Sequence, residues 1–486
     1  MRTLLFSFIF IGIVGFFSCK KDPPITLYAD FPAPIDRIFS NNCATSGCHN
    51  DASYMAAAEF NLSSFQKLFQ GSSNGSPIIP FRSDFSSLCY FVNTYPDLGI
   101  INKPSMPINA AALSREDVIA IKNWINNGAP DKNGNIMWQE NTARKKQYVL
   151  NQGCDVVTVI DAQTQLPMRY ITVGKLPNMP ELPHMIKVSP DGKYWYVVFV
   201  NANIIQKYRA SDDVLVGEVD LGKDGNNQPC NFWNTVTISD DNKKAYCVSW
   251  QGNSRIASVD LVNMKLIQNV GGTIQAHGSA LNKTNDTLYV TSQFGNYIYK
   301  IDTGFTYFGQ VTLDGSAIPN NNANTLDPHE IIFSDDGSNY FVTCQASNQV
   351  RVMNTATDLL LQIINTGTYP SEFAKSSVQQ KLYVTCENQL NPSNSKQIGC
   401  VSVIDMNSFS VTNYPVGFQP HGLALDETNN YLIVASRNVL SNGPAPHHTS
   451  NCGRNGFVNF FKLSTMQLLD KQIEVASDPY SIGMRN

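Results

Sequence analysis

Cys43 and Cys48, with His49 directly after the second, are the residues of this chain whose types and spacing best suit chemistry. Two thiols and an adjacent imidazole on one nonapeptide, Asn42 to Asn50, can hold a porphyrin covalently. Each thiol adds across one vinyl group, and the histidine becomes an axial ligand to the iron. Here four residues separate the cysteines instead of the usual two, which leaves a zinc half-site or a disulfide open as well. The chain has seven histidines, and the other six lie far downstream. His184, His277, His329 and His421 each stand five residues ahead of a polar turn, where corresponding segments carry Asn234, Ser371 and Tyr480. His447 and His448 fall in a long loop, residues 438–454. Six gathered imidazoles would suit copper first, then zinc, iron or nickel. The alternative is structural: side chains that only hydrogen-bond neighbouring units. Asp327 and Glu330 flank His329 as acceptors that could orient an imidazole or as solvated loop charges.

The elements that must position these residues begin with the first 19. Arg2 precedes an apolar run, Leu4 to Phe17, too short to span a bilayer comfortably, and Ser18-Cys19 follows. A small residue before cysteine after such a run resembles a bacterial lipobox, and Ser18-Cys19-Lys20-Lys21-Asp22 resembles lipoproteins of the Bacteroidota. The resemblance implies a signal peptide over 1–18, lipidation of Cys19 and a polar tether over 19–30. Several acyl chains on one residue anchor stably. The expected location is the cell envelope, lipid-anchored to the outer membrane on its periplasmic or surface face. Export permits covalent haem attachment and disulfides.

Residues 31–133 read as a small all-α domain. Ile35, Ile38 and Phe39 make one helical face ahead of the cysteine pair, and Phe65 to Phe69 a second short helix. Ser114 caps a helix in which Val118, Ile121, Trp124 and Ile125 recur on one side, and Asn127-Gly128 ends it. Between the helices lies Ser105-Met106-Pro107. The order resembles class I cytochrome c domains of exported bacterial proteins with the wider Cys-x4-Cys-His spacing. It implies one covalent haem c held by Cys43, Cys48 and His49, with Met106 as the second axial ligand; Met55 is the rival, close to His49 in sequence. A thioether favours ferrous iron and raises the potential.

Residues 139–486 repeat. Short apolar strands such as Tyr194-Trp195-Tyr196-Val197-Val198, Tyr289-Val290-Thr291 and Leu382-Tyr383-Val384-Thr385 return at intervals of roughly 43 to 51 residues, the length of a four-stranded blade. Seven such strands precede a C-terminal segment, 478–484, that matches a first strand and would close the ring onto the first unit. The expected fold is therefore mainly β: a seven-bladed β-propeller preceded by the cytochrome c domain. Tyr289-Val290-Thr291-Ser292 and Tyr383-Val384-Thr385-Cys386 resemble the YVTN propeller family. Of 11 cysteines, Cys386 and Cys400 flank one loop and suggest a disulfide, while Cys452 lies near His447 and His448.

Net charge is -4 and charged residues make up 15% of the 486, which excludes the basic face that a nucleic-acid partner needs. No nucleophile–base triad or phosphate loop is present. The expectation is a membrane-anchored c-type cytochrome in electron transfer, exchanging electrons with a redox partner protein or envelope complex, with a histidine-lined copper or redox site at the channel mouth. If it catalyses a reaction, that reaction is an oxidoreduction. The alternative is a metal- or partner-binding propeller without catalysis.

Overall fold

The computed structural model describes residues 30–139, 141–176, 179–388, 398–437, 439–440, 443–444 and 454–485. The signal segment, Cys19, His447, His448 and Cys452 lie outside the described residues. Among those described, no helix is long and apolar enough to cross a membrane.

Seven four-stranded antiparallel sheets form a seven-bladed β-propeller. Blade 1 holds Lys146–Asn151, Val156–Asp161 and Leu166–Thr172, and its innermost strand is the C-terminal Pro479–Arg485. That last strand pairs antiparallel with Lys146–Asn151, Tyr148 facing Gly483, so the ring has no free inner edge. The remaining innermost strands, in ring order, are Pro183–Val188, Trp233–Ile238, Ala276–Leu281, Pro328–Phe333, Pro370–Ser376 and Pro420–Asp426.

Second strands are buried on both faces, because each blade packs against a neighbour on either side. Tyr194–Phe199 and Lys381–Cys386 are buried at every position after the first, which is why they read as unbroken apolar runs rather than alternating ones. The polar turns between first and second strands are held by side chains. Ser189 Oγ donates to Asp191 Oδ1 at 2.7 Å, and Gly192 adopts φ 68° and donates its N–H to the Ser189 carbonyl at 2.8 Å.

The N-terminal segment carries four α-helices: α1 (Ala33–Asn42), α2 (Phe65–Leu68), α3 (Ser87–Val92) and α4 (Arg115–Asn126). The Ser114 side chain caps α4 by accepting the Asp117 N–H. Beyond the helix Gly128 turns at φ 96°, a conformation a side chain disfavours. Helices α1 and α4 meet through Phe39 and Trp124, ring centroids 5.8 Å apart, and through an Arg37–Asp117 ion pair. This segment is seated on the outer strand of blade 1. Phe85 stacks on Tyr170 at 4.3 Å, Arg82 Nη1 donates to the Tyr170 carbonyl at 3.2 Å, and Ser76 Oγ donates to the Pro167 carbonyl at 2.7 Å.

Candidate functional site

The loop after α1 brings Cys43, Cys48 and His49 together. The His49 N–H donates to the Cys43 carbonyl at 3.0 Å, closing the loop across both cysteines. Both thiols are free. Cys43 is buried, and burial first, then the neighbouring Cys48, pushes its thiol up to about 12. His49 Nδ1 lies 3.0 Å from the Phe60 carbonyl. A carbonyl only accepts, so the Nδ1 proton is committed there, and Nε2 is left as the coordinating nitrogen. Such a carbonyl acceptor fixes the tautomer and ring orientation of a ligating histidine. Burial of His49 lowers its affinity for a second proton, against the opposing Phe60 hydrogen bond. Met106 is half-buried against the core of this segment, its N–H on the Phe91 carbonyl at 2.8 Å, whereas the rival Met55 is 65% exposed. Two thiols, one tautomer-locked imidazole and a thioether are the donor set that haem c takes, so these residues fit that group.

At the other centre of interest, the second residue of every innermost strand forms one ring at a mouth of the central channel. In ring order these are His184, Asn234, His277, His329, Ser371, His421 and Tyr480, all buried. The five cyclic side chains form a closed circuit. Ring centroids lie 6.0 Å apart for His184–His277, 4.0 Å for His277–His329, 5.7 Å for His329–His421, 3.7 Å for His421–Tyr480 and 4.3 Å for Tyr480–His184. His184 Nδ1 sits 2.8 Å from the Asn234 carbonyl and His421 Nδ1 sits 2.9 Å from the Tyr480 carbonyl. Each of these imidazoles is thus tied to the backbone of the next blade, which is a structural role.

Two further rings support this one. The residue two places before each ring position has positive φ in all seven blades: Leu182, Phe232, Gln275, Asp327, Tyr369, Gln419 and Asp478, between 42° and 63°. Their carbonyls accept the N–H groups of Val200, Trp250, Gln293, Gln345, Glu387, Arg437 and Gln152, the residues that follow the second strands. A sevenfold hydrogen bond therefore holds a backbone conformation that side chains disfavour. The threonines of the Tyr-Val-Thr segments act as clamps. Thr291 accepts the Gly278 N–H at 2.8 Å and donates to the His329 carbonyl of the next blade at 2.9 Å. Thr385 accepts the Glu372 N–H at 3.2 Å and donates to the His421 carbonyl at 2.6 Å.

A polar chain runs along the mouth. Gln293 Nε2 donates to Gln345 Oε1 at 3.4 Å, Gln345 Nε2 to Ser371 Oγ at 3.0 Å, and Ser371 Oγ to Glu387 Oε1 at 2.5 Å. Glu387 Oε1 lies 3.8 Å from His421 Nε2. Burial pushes the Glu387 carboxyl up to about 7, against the pull of Arg437. Arg437 is itself ion-paired to Asp478, both fully buried. A cavity of about 300 Å³ opens here, floored by His184, His277 and His329 and walled by Phe232, Trp250, Phe294 and Tyr369.

The four described histidines of the propeller thus meet, but as ring contacts. Among the described residues no three His, Cys, Asp or Glu side chains stand close enough together to hold a metal ion. His184, His277, His329 and His421 alone therefore do not fit copper, and the expected partners His447 and His448 lie outside the described residues. Cys386 and Cys400 face each other directly across two strands, yet they are free thiols. Directly paired strand residues place Cβ atoms about 4.5–5.5 Å apart, wider than most disulfides prefer. Cys154, given no partner from sequence, is disulfide-bonded. Asp327 and Glu330 are buried, not solvated loop charges, and Asp327 Oδ1 accepts the Phe294 N–H at 3.3 Å. Glu387, Arg437 and the aromatic wall were not foreseen; the signal for Glu387, Arg437 and Trp250 was their shared position directly after a second strand, and for Phe232 and Tyr369 their shared position just before an innermost strand.

No protein-family model matches the chain, and no curated protein does. Solved structures do. A candidate 6-phosphogluconolactonase of Bacteroides uniformis is 12% identical, with a TM-score of 0.51 over 70% of this chain and 99% of that one. A second, from Bacteroides fragilis, is 13% identical, with a TM-score of 0.50 over 71% and 99%. These likenesses establish the propeller fold alone.

Proposed function

We propose that this protein is an exported, lipid-anchored c-type cytochrome that passes electrons between a haem in its helical segment and a redox partner protein or envelope complex meeting the propeller. The observation that carries the reading is the pairing of two free thiols with a histidine whose Nδ1 proton is committed to the Phe60 carbonyl at 3.0 Å. Haem c, when bound through thioethers to Cys43 and Cys48, supplies one-electron iron chemistry there. His49 Nε2 and the thioether of the half-buried Met106 would be its further protein ligands. Held by His49 and Met106 together, such a group would relay electrons and leave substrate to a partner. The Phe85–Tyr170 stack and the Arg82 hydrogen bonds hold the segment on blade 1. Lipidation at Cys19 would keep the assembly at a membrane, and the Tyr-Val-Thr clamps suit the YVTN family.

A second reading, a ligand- or metal-binding propeller without electron transfer, draws on the 300 Å³ cavity over the histidine floor. One experiment separates the two: maturation in a host that attaches c-type haem, followed by a pyridine haemochrome spectrum and elemental analysis. One covalent haem per chain, lost in Cys43→Ser and in Cys48→Ser, is the expected result. Absence of covalent haem overturns the first reading. Copper at one per chain, lost in His277→Ala, would support a mouth site that draws on residues beyond the four histidines.

A further inference from the structure

The innermost strands run from the histidine ring to the polar turns, so their far ends line the opposite end of the channel. A cavity of about 460 Å³ opens there, a size that suits a small molecule rather than a bare ion. Into it face Glu330 and Glu372 from adjacent blades, and Lys187 from blade 2. Glu330 is 6% exposed and Glu372 8%. One oxygen of Glu330, Oε1, accepts the Ile331 N–H at 3.2 Å, and the Ser279 backbone also holds the carboxyl. The other, Oε2, is buried without a hydrogen-bond partner. Gly278 makes the placement possible: a Cβ there would lie 2.3 Å from the His329 carbonyl oxygen and 3.0 Å from Glu330 Oε1.

The two acids and the amine line one cavity without a direct ion pair between them. Among the described residues Lys187 makes no ion pair within 4.0 Å and no side-chain hydrogen bond. Its ammonium is nonetheless near enough to draw both carboxyls down, against the burial that raises them. Burial pushes Glu330 up to about 7 and, with Glu330 beside it, Glu372 up to about 8, so near neutral pH the pair keeps a proton that a bound cation would displace, leaving both ionised. A divalent metal is disfavoured by the Lys187 ammonium and by the lack of a third ligand among the described residues. An ammonium group suits the two carboxylates, and an anionic group on the same molecule suits Lys187.

We propose that this end of the channel binds a small amino acid-like zwitterion, its ammonium between Glu330 and Glu372 and its carboxylate on Lys187. The site is independent of haem and of the histidine ring. The test is isothermal titration of the full chain with 4-aminobutyrate, with butylamine and butyrate as probes that each lack one charge. 4-Aminobutyrate should bind, butylamine at least about tenfold more weakly, and butyrate not at all, since each end contributes charge-assisted hydrogen bonds. Glu330→Gln and Glu372→Gln should each weaken 4-aminobutyrate by about tenfold or more. Lys187→Met, at a half-buried lysine whose loss leaves the core intact, should bring it down to the affinity of butylamine. Thermal melts confirm folding of each variant, and if a glutamine variant fails to fold, Lys187→Met with the butylamine comparison carries the test. No binding of 4-aminobutyrate, binding unchanged in the folded variants, or calcium chloride binding at the same carboxylates in its place would each overturn the proposal.

Discussion

Asp478→Asn removes one charge from the latch that closes the propeller. Asp478 stands just before the C-terminal strand at φ 57°, and its carbonyl accepts the Gln152 N–H of blade 1 at 2.9 Å. Its carboxylate pairs with Arg437, and the two side chains are 0% and 1% exposed. Asparagine has the same shape and tolerates the left-handed backbone, so the latch geometry survives and the charge alone is lost. Glu387 then remains as a nearby carboxylate acting on the buried guanidinium. Breaking a buried ion pair from one side costs about 3–5 kcal/mol. Glu387 can recover part of this. Asp478 raises its pKa and Arg437 lowers it, so in the variant Glu387 ionises more readily and takes over as counterion. The loss should therefore be smaller at pH 8 than at pH 6. Urea unfolding of the wild type, Asp478→Asn, Arg437→Met and the double variant at both pH values measures this. The double-mutant cycle should return a coupling of a few kcal/mol. A loss below about 1 kcal/mol at both pH values, the range of an exposed pair, would refute the reasoning.

Two other expectations concern the same hub. Thr385→Val keeps the shape but removes a donor to the His421 carbonyl and an acceptor for the Glu372 N–H; it should cost about 1–3 kcal/mol in urea unfolding, and no loss would deny the clamp its role. Glu387, held at about 7 by burial, binds its proton more tightly in the folded chain than in the unfolded one. Its contribution to stability is therefore full below the ordinary carboxyl range and is lost as pH rises towards about 7. Glu387→Gln should flatten the fall in melting temperature between pH 5 and 8, and an unchanged slope would count against it.

Which features could be read from the chain depended on their range. The blade repeat was legible because each second strand is packed on both faces, and packing forces an apolar run such as Tyr194 to Val198 wherever it recurs. The equivalence of His184, Asn234, His277, His329, Ser371, His421 and Tyr480 followed from their fixed offset to the polar turn, since register converts offset into position. The helix cap at Ser114 and the stop at Gly128 are local and were visible for that reason. What the side chains do once gathered depends on orientation, which offset does not specify. The imidazoles arrive as tilted and edge-on rings, with His184 and His421 bonded to neighbouring carbonyls instead of converging on one point. Cys386 and Cys400 are register partners, but ladder spacing keeps them as thiols. Glu330 beside His329 looked like a loop charge until the bulge in its strand and the missing side chain of Gly278 buried it in the channel. Sequence periodicity alone determined the architecture; only the closed ring decided which charges would be buried together, because those contacts join residues separated by whole blades.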